Sequence, residues 1–277
     1  STRRGWTARP RARPLLFIVS TAGEGQLPDP ALGFVRRLAP GALGGLRFAM
    51  LGLGDSRPSR PMWLGVMIGL AGVALTVSGG MQGGQAALAT AHMQSRYGAP
   101  TDFRGAIAVD PESDVEKVMA FLGPYVPPAP AVLEKAYGYL LAVLAGNRVA
   151  DPAVDVNSYL SPYGRSLVDK VGNGCPAPTV PAGTAFGSLL AKPLGSPELR
   201  ASLDRYMAVP TSGYTKPTLL LFNALDLTVP SPLHAKLEAD FVANGVDHRT
   251  VLGTGSHTEM NAAQWAAWDD FLRTALA

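Results

Sequence analysis

Two residues near the end of the chain, Asp226 and His257, have the types and spacing for proton chemistry. Each follows a short apolar run: Thr218-Leu-Leu-Leu-Phe-Asn223 before the aspartate, and His248 to Leu252 before the histidine. Such runs read as buried parallel strands. Open α/β sheets place their sites just beyond strand carboxyl ends. A carboxylate there can orient an imidazole, which then acts as general base toward a hydroxyl nucleophile. Val229-Pro230 follows the aspartate, and Gly253 and Gly255 precede the histidine. Taken alone, the pair could also be a solvated aspartate and an ordinary loop histidine.

The elements needed to position this pair are legible along the chain. In the last third, Pro232 to Asn244 reads as an amphipathic helix and Ala262 to Leu276 as a closing one. Upstream, a glycine cluster at 79–84 leads into a helix from Gln85 to Arg96 and a strand from Phe103 to Val109, ending at Asp110-Pro111. This is a strand, tight turn, helix, strand unit of a parallel sheet. Residues 121–215 are rich in Pro, Gly, Tyr and Ala, with helical patterns at Ala131 to Leu144 and Pro197 to Tyr206 and no strand-like run. They read as a helical cap over a sheet. The expected organisation is a basic tail at 1–13, a strand-helix-strand fragment at 14–60, an apolar segment at 61–78, a core formed by 79–120 and 216–277, and the cap.

Residues 79–277 resemble an α/β-hydrolase of the secretory lipase/esterase type. The resemblance rests on Gly83-Gly84-Gln85-Ala86-Ala87-Leu88, on Arg104 through Asp110, on Leu219 through Asp226 with Val229-Pro230, and on Gly253-Thr-Gly-Ser-His257. It implies a three-layer parallel-sheet α/β-hydrolase-like fold with a helical cap. It also implies Asp226 and His257 as triad members, a small-molecule or lipid ester substrate, and a secreted or extracytoplasmic location. The family's nucleophile lies in a G-x-S-x-G turn. At matching spacing this chain has Gly79-Gly80-Met81-Gln82-Gly83, so Met81 occupies the serine position. A thioether has no proton for His257 to remove and forms no acyl-enzyme. Ser78, three residues earlier, is expected to point elsewhere. The expected function is therefore an impaired ester hydrolase.

The front of the chain resembles something else. Leu15 to Ser56 is similar to part of the flavodoxin-like FMN domain of diflavin reductases. Ser20, Thr21, Gly23, Glu24 and Gly25 resemble one loop bordering a flavin, and Gly54 and Asp55 the other. The resemblance makes an FMN-binding flavodoxin-like module the alternative function, but the phosphate-cradling loop of the first flavodoxin strand has no counterpart, so most of the FMN affinity should be missing and no cofactor is expected. Helical patterning places a helix at Ala31 to Leu38 between two strands, Pro14 to Ser20 and Leu46 to Gly52.

Residues 62–77 form a sixteen-residue apolar run flanked by Arg57 and Arg60. Spanning a bilayer takes about 20 residues. The run resembles a helix of small multidrug-type transporters and leaves membrane contact open. The competing reading is a buried helix leading into a strand at Val73 to Val77. A composite chain without activity is a further alternative.

Composition narrows the classes. A chain of 277 residues with 47% hydrophobic and 16% charged residues can bury a sizeable core, which excludes wholesale disorder. Cys175 is the only cysteine, so neither an intramolecular disulfide nor a Cys/His zinc cluster is available. Residues 1–60 carry ten Arg and three acids, but the arginines share no helix face and lack stacking aromatics beyond Trp6, which argues against nucleic acid. No metal site and no internal repeat stand out.

Overall fold

The computed structural model describes residues 15–20, 48–53, 74–97, 102–128, 130–171 and 180–276. Six strands form one sheet: β1 (Leu15–Ser20), β2 (Phe48–Leu53), β3 (Ala74–Gly80), β4 (Asp102–Val109), β5 (Thr218–Asn223) and β6 (His248–Gly253). Their order is β2-β1-β3-β4-β5-β6, and every pairing is parallel. All carboxyl ends therefore open on one edge.

The strand sequences are apolar on both faces because both faces are covered. Alternation along β4 and β5 sends Ile107, Val109, Leu219 and Leu221 to one side, against Ala267, Trp268 and Leu272 of helix α7 (Ala262–Leu276). Ala108, Leu220 and Phe222 go to the other side. There they meet Leu88 of α1 (Gln82–Tyr97) and Leu237 and Phe241 of α6 (Ser231–Ala243). The result is the expected three-layer parallel α/β fold.

Between β4 and β5 lies the expected helical region. It contains α2 (Val115–Met119), α3 (Ala131–Ala150), α4 (Pro162–Val171), α5 (Pro197–Met207) and two 3-10 turns. Its buried cluster runs from Met119 to Met207 and contains no strand residue. The absence of strand-like runs holds among the described residues, where pairing is limited to two isolated bridges, Pro128 with Ala185 and Leu160 with Leu190. Local signals fix the helix starts. Ser196 Oγ accepts from Leu199 N at 3.2 Å ahead of Pro197, a capping arrangement worth about 1 kcal/mol.

One expectation needs correction, and two open readings are resolved. The helix after the glycine cluster begins at Gln82 rather than Gln85, because Gly79 and Gly80 continue β3 and Gly83 and Gly84 already lie in the helix. Of the two readings of the apolar run, the strand expected at Val73 to Val77 is found, beginning at Ala74. It is paired with β1 on one side and β4 on the other. Residues 62–73 of that run lie outside the described residues; among those described, no helix is long and apolar enough to cross a membrane. Finally, the two front strands join this sheet. Leu15 pairs with Ala74 and with Phe48, so β1 and β2 extend the same sheet that carries Asp226 and His257. The expected helix at 31–38 lies outside the described residues.

One irregularity is built in. The register between β3 and β4 shifts at Leu75/Thr76, skipping Arg104. Gly105 there has φ 154°, and an added Cβ would lie 2.6 Å from the Pro217 carbonyl oxygen and 2.7 Å from Phe271. Glycine alone lets the backbone bulge and pack that closely.

Candidate active site

Four loops meet at the carboxyl edge of the sheet. Asp226 follows β5 and is 1% exposed. Its Oδ1 accepts from Thr228 N (2.8 Å) and Val229 N (3.0 Å), an Asx turn that fixes the carboxylate. Its Oδ2 faces two imidazoles, His257 Nδ1 at 2.7 Å and His234 Nε2 at 3.1 Å. Burial opposes the charge on Asp226. The hydrogen bonds from His234 and His257, the His257 charge and the Val229 amide outweigh it and hold the carboxyl well below the usual carboxylate range.

A carboxylate only accepts, so Nδ1 of His257 carries the proton and Nε2 bears the lone pair. That Nε2 is buried and has no hydrogen-bond partner.

Asp110, one residue past β4, ties the loops together. It is fully buried and adopts φ 39°. Its carboxylate accepts from Asn223 N (2.8 Å), Asn223 Nδ2 (2.7 Å) and Thr258 N (2.7 Å). The end of β5 and the residue after His257 are thus pinned to one side chain. Burial raises its pKa, only partly offset by these donors. His234 enters from α6, where Leu237 and Phe241 are its buried neighbours on the same helix face. Its ring stacks on Phe222 at 4.8 Å and 7°. The loop carrying His257 is then handed to α7 by a reciprocal cap: Gln264 N donates to Asn261 Oδ1 and Asn261 N to Gln264 Oε1, both at 2.9 Å.

Asp110, Asp226 and His234 each present one ligand atom within 4.8 Å of the others, a spacing a cation could use. The carboxylate oxygens are already engaged by backbone, amide and imidazole donors, so the group reads as a hydrogen-bonded lock.

Met81 sits between β3 and α1 in the left-handed region, with φ 52°. Its N–H donates to Val109 O at 3.0 Å, and its carbonyl accepts from Gln85 N at 3.0 Å. Holding a non-glycine residue there costs on the order of 1 kcal/mol, and the strand and helix on either side impose it. The turn touches the histidine loop, since a Cβ on Gly80 would lie 3.2 Å from Thr258 Cγ2. Thr258 is itself left-handed, at φ 61°. Met81 therefore occupies a strained strand-to-helix turn of the kind that presents a nucleophile. Its side chain has no proton to give. Ser78 lies within β3 and is buried.

Among the sequence-predicted residues, Asp226 and His257 come together and Met81 stands on the adjoining turn. Ser20 ends β1, and Thr21, Gly23, Glu24, Gly25, Gly54 and Asp55 lie outside the described residues. Asp110, His234 and Thr258 were not recognised as site residues. Two signals point to the first two. The run Asp110-Pro-Glu-Ser-Asp114 puts three acids directly after an apolar strand, and His234 shares the i, i+3, i+7 stripe of Leu237 and Phe241.

Neither a family model nor a curated protein matches this sequence. Solved structures do match. The rice cell wall degrading esterase LipA from Xanthomonas oryzae aligns with TM-score 0.59 and 16% identity, over 95% of this chain and 79% of that one. Lipase A from Candida antarctica aligns with TM-score 0.58 and 16% identity over 74% of this chain, which spans about half of that protein (49%). Est1E from Butyrivibrio proteoclasticus gives TM-score 0.50 and 14% identity, over 96% and 90% of the two chains. At such identities the likeness is one of fold, and that fold is the parallel-sheet α/β architecture of these lipase and esterase structures.

Proposed function

We propose that this chain is an esterase-type α/β-hydrolase domain that binds carboxylic esters, of small molecules or lipids. Asp226 orients His257, His257 is the general base, and Met81 fills the nucleophile position. The observation that carries this reading is the 2.7 Å Asp226–His257 contact, with Nε2 left free, beside a left-handed residue at a strand-to-helix junction. The base and its orienting acid are in place, and the group they would activate is a thioether. The acyl-enzyme route is closed at its first step, because the residue on the turn, Met81, carries no hydroxyl to attack the ester carbonyl.

The test is hydrolysis of p-nitrophenyl butyrate by the chain, its Met81→Ser variant and a Met81→Ser/His257→Ala variant. Serine on the turn is expected to raise kcat at least about a hundredfold and to give a burst of p-nitrophenol, with the histidine change abolishing both. A Met81→Ser variant that folds and shows no gain would refute the reading. The chain would then be a hydrolase-like fold without an ester site.

A further inference from the structure

We infer that His234 is a positioning residue of this site: from a buried helix face it holds Oδ2 of Asp226 where that oxygen must stand to orient His257. The inference rests on the esterase reading. Asp226 and His257 both lie on loops, and the acid loop is open to solvent on either side of Asp226, with Leu225 65% and Leu227 52% exposed. The Thr228 and Val229 amides that hold Oδ1 belong to that same loop. They fix the carboxylate within its loop and leave the place of the loop itself to other contacts. Two side chains meet on Oδ2, His257 Nδ1 at 2.7 Å and His234 Nε2 at 3.1 Å. His257 is the group to be oriented, so His234 is the side chain that ties the acid to the core.

The surroundings of His234 suit that task. The ring is buried on α6 and lies flat on Phe222 of β5 at 4.8 Å. Leu237 and Phe241, further along the same stripe, pack with Ala108, Leu220 and Phe222 of the sheet. An apolar side chain would meet the packing needs of this position. What an imidazole adds is one N–H. A carboxylate only accepts, so the proton is on Nε2, and Nδ1 is buried without a partner. A buried nitrogen left unpaired carries a cost that an apolar residue would avoid. The use that offsets it is the donor on the opposite edge of the ring. That Nε2 lies 3.1 Å from Asp226 Oδ2 and 3.5 Å from Asp110 Oδ1.

The two carboxylates each place an oxygen within 4.8 Å of the other's. Buried carboxylates that close repel one another. Among the described residues, His234 is the donor that they share. Asp110 in turn accepts from Thr258 N at 2.7 Å, the residue after His257. The ring therefore stands behind both members of the pair, meeting the acid directly and the loop of the base through Asp110. A group that acts in this way changes how well His257 is aimed in the transition state and leaves ester binding alone.

The experiment adds His234→Phe and His234→Gln to the Met81→Ser chain, checks each for folding by near-UV circular dichroism, and measures p-nitrophenyl butyrate hydrolysis. Phenylalanine keeps the stack and removes the donor; the side-chain amide of glutamine restores a donor. His234→Phe should lower kcat by about tenfold with KM within about twofold, and His234→Gln should return kcat to within about threefold of Met81→Ser. A phenylalanine variant as fast as its parent, equal losses in both variants, or a loss confined to KM would each overturn the inference. Proton NMR of the chain with Met81 in place reads the same contact without catalysis. The His257 Nδ1 proton should resonate downfield of the amides, be missing in His257→Ala, be lost or move upfield in His234→Phe, and persist in His234→Gln. A resonance unchanged in His234→Phe would overturn the inference, and its absence from the unmodified chain would overturn the esterase reading as well. If Met81→Ser is inert while the resonance responds to His234→Phe, the esterase reading falls and the positioning of Asp226 by His234 stands. If Met81→Ser is active and neither kcat nor the resonance responds, the esterase reading stands and the role of His234 falls.

Discussion

Glu112, buried two residues beyond Asp110, makes a stability prediction that needs no substrate. Its carboxyl moves from an ordinary 4.5 to about 7 on folding, because burial disfavours the charged form. A raised folded-state pKa means the folded chain holds more protons than the unfolded one between those values. Stability from this group is therefore full below pH 4.5 and declines as pH rises toward 7. Each pKa unit corresponds to about 1.4 kcal/mol, so the decline totals about 3 kcal/mol. Glu112→Gln keeps the shape and removes the ionisation. Urea unfolding of both proteins at pH 5, 6, 7 and 8 reads the difference directly, provided the m-values agree. The glutamine variant should gain on the parent by about 2–3 kcal/mol between pH 5 and pH 8. A constant difference across that range would refute the reasoning. A parent that gains on the variant with rising pH would mean that a cation pairs with Glu112.

Asp226→Asn in the Met81→Ser background should cost roughly a thousandfold or more in kcat, since an amide no longer selects the Nδ1–H form of His257; a loss under tenfold in the p-nitrophenyl assay would contradict that role. The same substitution should weaken the acid dependence of stability. The Asp226 pKa is depressed, so its contribution is present above the unfolded value and lost as pH falls, which urea melts at pH 3 to 6 would show. His234→Phe should retain the stack on Phe222 and lose one donor to Asp226, lowering kcat of the Met81→Ser variant by about tenfold with little change in KM. Gly105→Ala should destabilise by about 3 kcal/mol, visible as a lower thermal midpoint, because the added methyl meets the Pro217 carbonyl and the Phe271 ring in a backbone region that alanine avoids.

The strands were the legible part. Thr218 to Asn223 opens with five apolar or β-prone residues in a row, and it is a strand of those bounds, because a parallel strand covered on both faces leaves no polar alternation. The closing helix Ala262–Leu276 was equally clear from its periodicity. The glycine cluster was read too loosely. Glycines suggest a turn, yet here two continue a strand and two enter a helix, and the turn itself falls on Met81. Local propensity cannot show that, since the strand and helix on either side impose it. The apolar run left two readings open for a related reason: β3 lies between β1 and β4 and is buried by neighbours distant in sequence, so composition alone does not separate its end from membrane helix. In the site, Asp226 and His257 could be picked out because each follows a strand. His234 shows in the sequence only as a member of a helix stripe; what makes it part of the site is a 3.1 Å approach to a residue on another element.

The helical region between β4 and β5 bears on how the chain folds. β4 ends at Val109 and β5 starts at Thr218, so these strands pair only after a loop of about a hundred residues has closed. An unstructured loop of that length would make the central pairing slow and leave strand edges open to other chains. This region has its own buried cluster, free of any strand residue, so it can condense early and draw the two strand ends together. Amide exchange during refolding should then protect α3 and α5 before β5, with the catalytic edge, which needs β3 through β6 together, forming last.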